Sequence, residues 1–174
     1  MNFFSFYDIP ITFVLDEKTL KQKYYALSRQ YHPDFYTREN AAKQQEILEK
    51  STFNTRAYKT LSDFDERVKY VLELKGFFKE GEKQDIPNDF LMEMMDINES
   101  VMDLQTDLDA EKYAQTAAEV RQMQTDLYAD IKPVLENYDD AASTSEDFKK
   151  VKEFYLKKRY LLRLEKNLAT FALL

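Results

Sequence analysis

The chain has 174 residues, a formal net charge of −7, no cysteine and a single histidine. That length suits one ordinary domain or two small ones. The acidic balance lacks the basic footprint of a nucleic-acid binder, and absent cysteine excludes disulfides, thiolate nucleophiles and cysteine-held zinc or iron–sulfur centres.

Hydrophobic residues make up 44% and charged residues 33%, so a folded protein is expected rather than a disordered one. Two glycines and four prolines leave a composition that favours helices. No apolar run approaches the roughly 18 residues that span a bilayer. The opening MNFFSFYDIP lacks the basic region and cleavage site of a signal peptide, and a cytoplasmic location is the expectation.

Asp16 is placed to cap a helix starting at Glu17. Leu20, Tyr24, Leu27 and Tyr31 recur at helical spacing and form an apolar stripe, with Lys18, Lys21, Tyr25 and Arg29 on the opposite side. Pro33 disfavours an α conformation at His32, so the helix must end near Tyr31 and His32-Pro33-Asp34 falls in a loop. A second helix is expected over 39–61, with Ile47, Ser51, Asn54, Tyr58 and Leu61 facing inward. A short loop between two such helices predicts an antiparallel hairpin. A third helix over 64–75 carries Val68, Val71 and Leu72, and Gly76 is its expected C-cap.

Residues 76–87, GFFKEGEKQDIP, hold both glycines and a proline and lack helical periodicity. They mark the expected junction between a domain over 1–75 and a second over 88–174. Phe77 and Phe78 are expected to pack there. Beyond it, helices over 88–108, 109–138 and 146–171 predict an up-down-up bundle. Pro133 is a candidate kink or break in the middle helix, and 139–145 reads as a polar turn. The fold class is therefore all-α.

The first bundle helix carries two apolar lines. Phe90, Met94, Ile97, Val101, Leu104 and Leu108 fall on one face, the natural core stripe. Leu91, Met95 and Met102 fall on a second, continued by Met92, Asp96, Glu99 and Asp103. In the last helix Phe148, Val151, Tyr155 and Leu162 make the inner line, with Phe154 and Leu161 off to one side. Two readings stand: both extra lines are buried in a wider packing, or they form an acid-rimmed apolar patch that binds a protein. Methionine suits the second, because its side chain adapts to irregular partners.

His32 admits several roles. A catalytic histidine needs a group that orients it or takes its proton, and Asp34, Ser28, Tyr31 and Tyr36 are ordinary neighbours. A metal site would need distant carboxylates. A purely structural loop residue satisfies the local chemistry as well.

The composite of a basic-faced helix, the HPD loop and a long following helix resembles the J-domain family, whose members recruit and activate seventy-kilodalton heat-shock chaperones. The stretch Asn54-Thr55-Arg56-Ala57-Tyr58-Lys59-Thr60-Leu61 is similar to that family's third helix. The resemblance implies that His32, Pro33 and Asp34 contact the chaperone, helped by Lys18, Lys21, Tyr25 and Arg29. One departure is Phe35, where many members have Lys or Arg.

The layout as a whole resembles the HscB family of co-chaperones in iron–sulfur cluster assembly. The resemblance lies in the opening Phe3-Phe4-Ser5-Phe6-Tyr7-Asp8-Ile9-Pro10, the junction Arg67-Val68-Lys69-Tyr70-Val71-Leu72-Glu73-Leu74-Lys75-Gly76-Phe77 and the bundle start Phe90-Leu91-Met92-Glu93. It implies a non-enzymatic adaptor with no cofactor or metal. The J-domain would stimulate the ATPase of an HscA-like or other seventy-kilodalton chaperone, while the bundle binds an IscU-like cluster scaffold. It further implies scaffold contacts at Leu91, Met92, Met95, Asp96, Glu99 and Asp103, and at an aromatic of the last helix, Phe154 or, one position on, Tyr155. No nucleic acid, no membrane and a monomeric state are expected. A J-domain adaptor for a different client is the alternative.

Overall fold

A computed structural model describes residues 1–107 and 109–171. Among the described residues there are seven α-helices and no strand. The chain folds as two compact units, one of 1–75 with 138–142, the other of 76–137 with 143–174.

The first unit contains α1 (Phe3–Phe6), α2 (Glu17–Gln30), α3 (Ala41–Ser62) and α4 (Phe64–Leu74). Helix α1 is too short to show a period, and the spacing does not predict it. Asn2 caps it in a reciprocal capping box with Ser5, and its apolar residues anchor it. Phe3 stacks on Tyr70 at 4.5 Å and meets Phe53 edge-on at 5.2 Å.

Three cross-helix pairs set the register of α2 on α3. Tyr24 stacks on Tyr58, the Asn54 amide donates to Ser28 Oγ, and Lys50 lies over the Tyr31 ring. As the numbers rise along α2 they fall along α3, so the two helices form the antiparallel hairpin. Asn54 is a buried polar residue with every polar group engaged. Its carbonyl and side-chain oxygens both accept from the Tyr7 hydroxyl, and its amide also donates to the Tyr24 carbonyl. Buried Arg67 donates to the carbonyls of Phe13 and Leu61, tying the segment before α2 to the end of α3. Burial lowers the pKa of its guanidinium.

Asp63 ends α3 and caps α4, accepting from Glu66 N at 2.9 Å. Gly76 follows α4 with φ +75°, the left-handed conformation that terminates a helix without a Cβ penalty. Residues 138–142, expected as the end of the middle bundle helix and the start of the polar turn over 139–145, belong to the first unit. Tyr138 meets the Phe13 ring edge-on at 4.8 Å and Lys75 pairs with Asp140.

The second unit contains α5 (Asn88–Thr106), α6 (Ala110–Glu136) and α7 (Ser145–Phe171). On α5 the buried residues are Phe90, Met94, Ile97, Val101 and Leu104, the expected core stripe; Leu108, its expected last member, lies outside the described residues. They pack with Val120 of α6 and Leu161, Leu164 and Leu168 of α7. Glu165 meets Gln124 and Arg121, while Phe154 meets Tyr128, so α6 and α7 run antiparallel. Phe77 stacks on Phe148 and Phe78 meets Tyr155 edge-on, so both phenylalanines pack.

Two expectations for these helices need correcting. Pro133 neither splits α6 nor ends it; the helix continues to Glu136. Only the final turn follows the proline, so the helix there has little left to lose, and the Pro133 carbonyl accepts from both the backbone and the side chain of Asn137, which closes the helix. On α7, Phe154 and Leu161 are buried while Leu162 is exposed. Three consecutive side chains at 154–156 are buried, so the helix has neighbours on most sides there and no single inner line.

Candidate functional site

Local chemistry builds the HPD turn. Asp16 caps α2, accepting from the backbone of Lys18 and Thr19. Its Thr19 hydrogen bond holds its carboxyl below the usual range. At the other end Tyr31 closes the helix on Leu27. His32 takes φ −71°, ψ 121°, the extended conformation demanded before proline. It caps a 3-10 turn over Pro33–Tyr36.

His32 Nδ1 accepts from Asp34 N at 3.3 Å. The Asp34 carboxylate lies 3.7 Å from the same nitrogen. The Tyr36 hydroxyl donates to the Gln30 carbonyl at 2.9 Å and clamps the turn to the end of α2. His32, Pro33, Asp34 and Phe35 are all exposed. Among the described residues no group of three or more His, Asp or Glu side chains could hold a metal ion.

Helix α2 separates its two faces as expected. Leu20 is buried, Tyr24, Leu27 and Tyr31 are half-buried, and Lys18, Lys21, Tyr25 and Arg29 are exposed. The basic face thus leads directly into the HPD turn. Across the hairpin, Glu46 accepts from Lys50 and Lys43, and these hydrogen bonds hold its carboxyl down at about 2.

The second stripe of α5 is open to solvent. Met92, Met95 and Met102 are 65–70% exposed and Leu91 is 38% exposed. Asp96, Glu99 and Asp103 are exposed beside them, with Asp103 paired to Lys112. Helix α5 itself carries five acids and no base over its length, so its own charged side chains around this apolar line are all acidic, although Lys112 of α6 pairs with Asp103. Of the two readings of this line, the buried one does not hold.

Phe154 differs. It is only 3% exposed, against the expectation of an off-core aromatic, and Tyr155 is buried as well. Tyr128 of α6 lies against the Phe154 ring and is itself 41% exposed. The seven α5 and α7 positions therefore divide: six side chains are exposed on α5, and Phe154 supports the packing behind α7.

Two family models match the chain: a DnaJ domain over residues 6–70 and an "HSCB C-terminal oligomerisation domain" over 86–169. The co-chaperone protein HscB of Buchnera aphidicola is 36% identical over 107 residues, which is 60% of this chain and 60% of that protein. The HscB homologue of Psychromonas ingrahamii is 30% identical over 158 residues, covering 90% of this chain and 92% of that protein. The crystal structure of human co-chaperone HscB superposes with a TM-score of 0.75 at 27% identity, covering 98% of this chain and 81% of that chain.

Proposed function

The chain belongs to the HscB family of J-domain co-chaperones, and from that premise we propose that it couples an iron–sulfur cluster scaffold to a seventy-kilodalton heat-shock chaperone. The HPD turn and the basic face of α2 engage the ATP-bound chaperone and promote hydrolysis in that partner's own active site. The exposed face of α5 holds an IscU-like scaffold. This chain performs no covalent step. Carrying two binding faces raises the effective concentration of scaffold at the chaperone.

One observation carries the reading: the chain presents an exposed HPD turn and, in its other unit, an exposed methionine-rich face distinct from the core stripe of the same helix. Each residue has a definite part. Pro33 fixes the turn, and Asp34 accepts charge-assisted hydrogen bonds. Lys18, Lys21 and Arg29 attract an acidic chaperone surface, with Tyr25 beside them. Leu91, Met92 and Met95 make the apolar centre of the scaffold contact, with Asp96, Glu99 and Asp103 at its rim. Phe154 acts from behind, by holding α7 in place.

The test combines two measurements. His32→Gln, an exposed position, should leave the thermal melt unchanged within about 0.5 kcal/mol and abolish stimulation of the chaperone's ATPase. Calorimetric titration of the scaffold should give saturable binding to the native chain. Full stimulation by the variant would remove the J-domain assignment. Stimulation without scaffold binding would favour an adaptor for a different client.

A further inference from the structure

Phe35 follows Asp34 on the same 3-10 turn, and its side chain is 70% exposed. The fold has no evident use for that ring. The turn is held without it, by the His32 cap, the Phe35 backbone N–H to the His32 carbonyl, and the Tyr36 clamp on Gln30. Among the described residues its one ring partner is His32, with centroids 5.4 Å apart and planes tilted by 48°. The side chain is therefore continuous with the three residues read as the chaperone contact. A cation here would extend the basic face of α2 and ask for an acidic neighbour on the partner. A phenyl ring asks for an apolar recess and gains by leaving water.

We propose that Phe35 is a specificity-determining contact for the chaperone partner, docking into an apolar recess beside the surface that receives His32, Pro33 and Asp34. The inference rests on the co-chaperone reading above. It divides recognition in two: the face of α2 supplies salt-sensitive attraction, and Phe35 supplies a salt-insensitive anchor. Exposed aromatic side chains are among those that most often dominate interfaces once buried.

The experiment measures chaperone ATPase stimulation against concentration for the full chain and for Phe35→Ala, Phe35→Leu and Phe35→Lys, at low and high salt. His32→Gln serves as reference. The Ala variant should need roughly tenfold more protein for half-maximal stimulation at both salts, with an unchanged melt. The Leu variant should recover most of that loss, and the Lys variant should match Ala at high salt. An Ala or Lys variant that performs as the native chain overturns the proposal. So does a Leu variant as weak as Ala, which would show that the ring acts only by packing against His32. Equal stimulation by the native chain and His32→Gln would instead refute the co-chaperone reading itself.

Discussion

The Asn54 side-chain amide donates a 2.9 Å hydrogen bond to the Ser28 hydroxyl, one helical turn before His32. The same side chain accepts from Tyr7 at 2.7 Å and donates to the Tyr24 carbonyl. A single buried residue of α3 thus ties α1 and the later half of α2 together behind the HPD turn.

Asn54→Ala should destabilise the first unit by about 1–3 kcal/mol, because the buried Tyr7 hydroxyl loses its side-chain acceptor and the part-buried Ser28 hydroxyl of α2 loses its donor. A denaturant titration followed by helical circular dichroism reads this directly. Stimulation of the chaperone should also weaken at temperatures where the variant is folded, since the end of α2 loses its tie. A variant as stable as the native chain would mean that water replaces the amide.

The exposed face of α5 and the buried aromatic of α7 should respond oppositely. Leu91→Ala with Met92→Ala and Met95→Ala should lower scaffold affinity by about thirtyfold or more, the effect of losing about 2 kcal/mol. The melt should barely change, because these side chains are exposed. Phe154→Ala should instead cost about 3–5 kcal/mol of stability, as a buried phenylalanine does. Titration calorimetry and melting on the same samples separate the two. Equal loss of binding with no loss of stability in Phe154→Ala would place that ring in the interface directly.

Replacing Lys21 and Arg29 by alanine should weaken chaperone association more at low salt than at high salt. Exposed charges act over a screening length of about 30 Å at 0.01 M and about 3 Å at 1 M. Association rates measured across that range should converge for native and variant chains as salt rises. Parallel curves would assign the effect to packing.

Glu46 gives a pH signature. Its hydrogen bonds to Lys50 and Lys43 lower its folded carboxyl from 4.5 to about 2. The unfolded chain therefore binds that proton more readily. The stabilisation is present above about pH 4.5 and is lost as pH falls through 2. Glu46→Gln should melt below the native chain at neutral pH, and the gap should narrow steadily across that window. A gap constant from pH 7 to pH 2 would exclude the ion triad as its source.

Some features of this protein are written locally and could be read without a structure. Pro33 and the Asp16 cap bound α2 and force His32 into an extended turn whatever surrounds them. The two lines of α5 separate cleanly because one buried face of a 19-residue helix leaves a definite opposite face. Resemblance then implied a scaffold-binding role for the second line. Other features depend on distant partners. Helix α1 has too few residues for a period and exists because Phe3 meets Phe53 and Tyr70. Residues 138–142 join the first unit through Phe13 and Lys75, far away in sequence. Periodicity on α7 put Leu162 inside and Leu161 and Phe154 off the core line, and the structure reverses all three, because a helix packed on several sides has no single phase. There the arrangement of its neighbours decides which side chains reach water, and only the tertiary structure contains that arrangement.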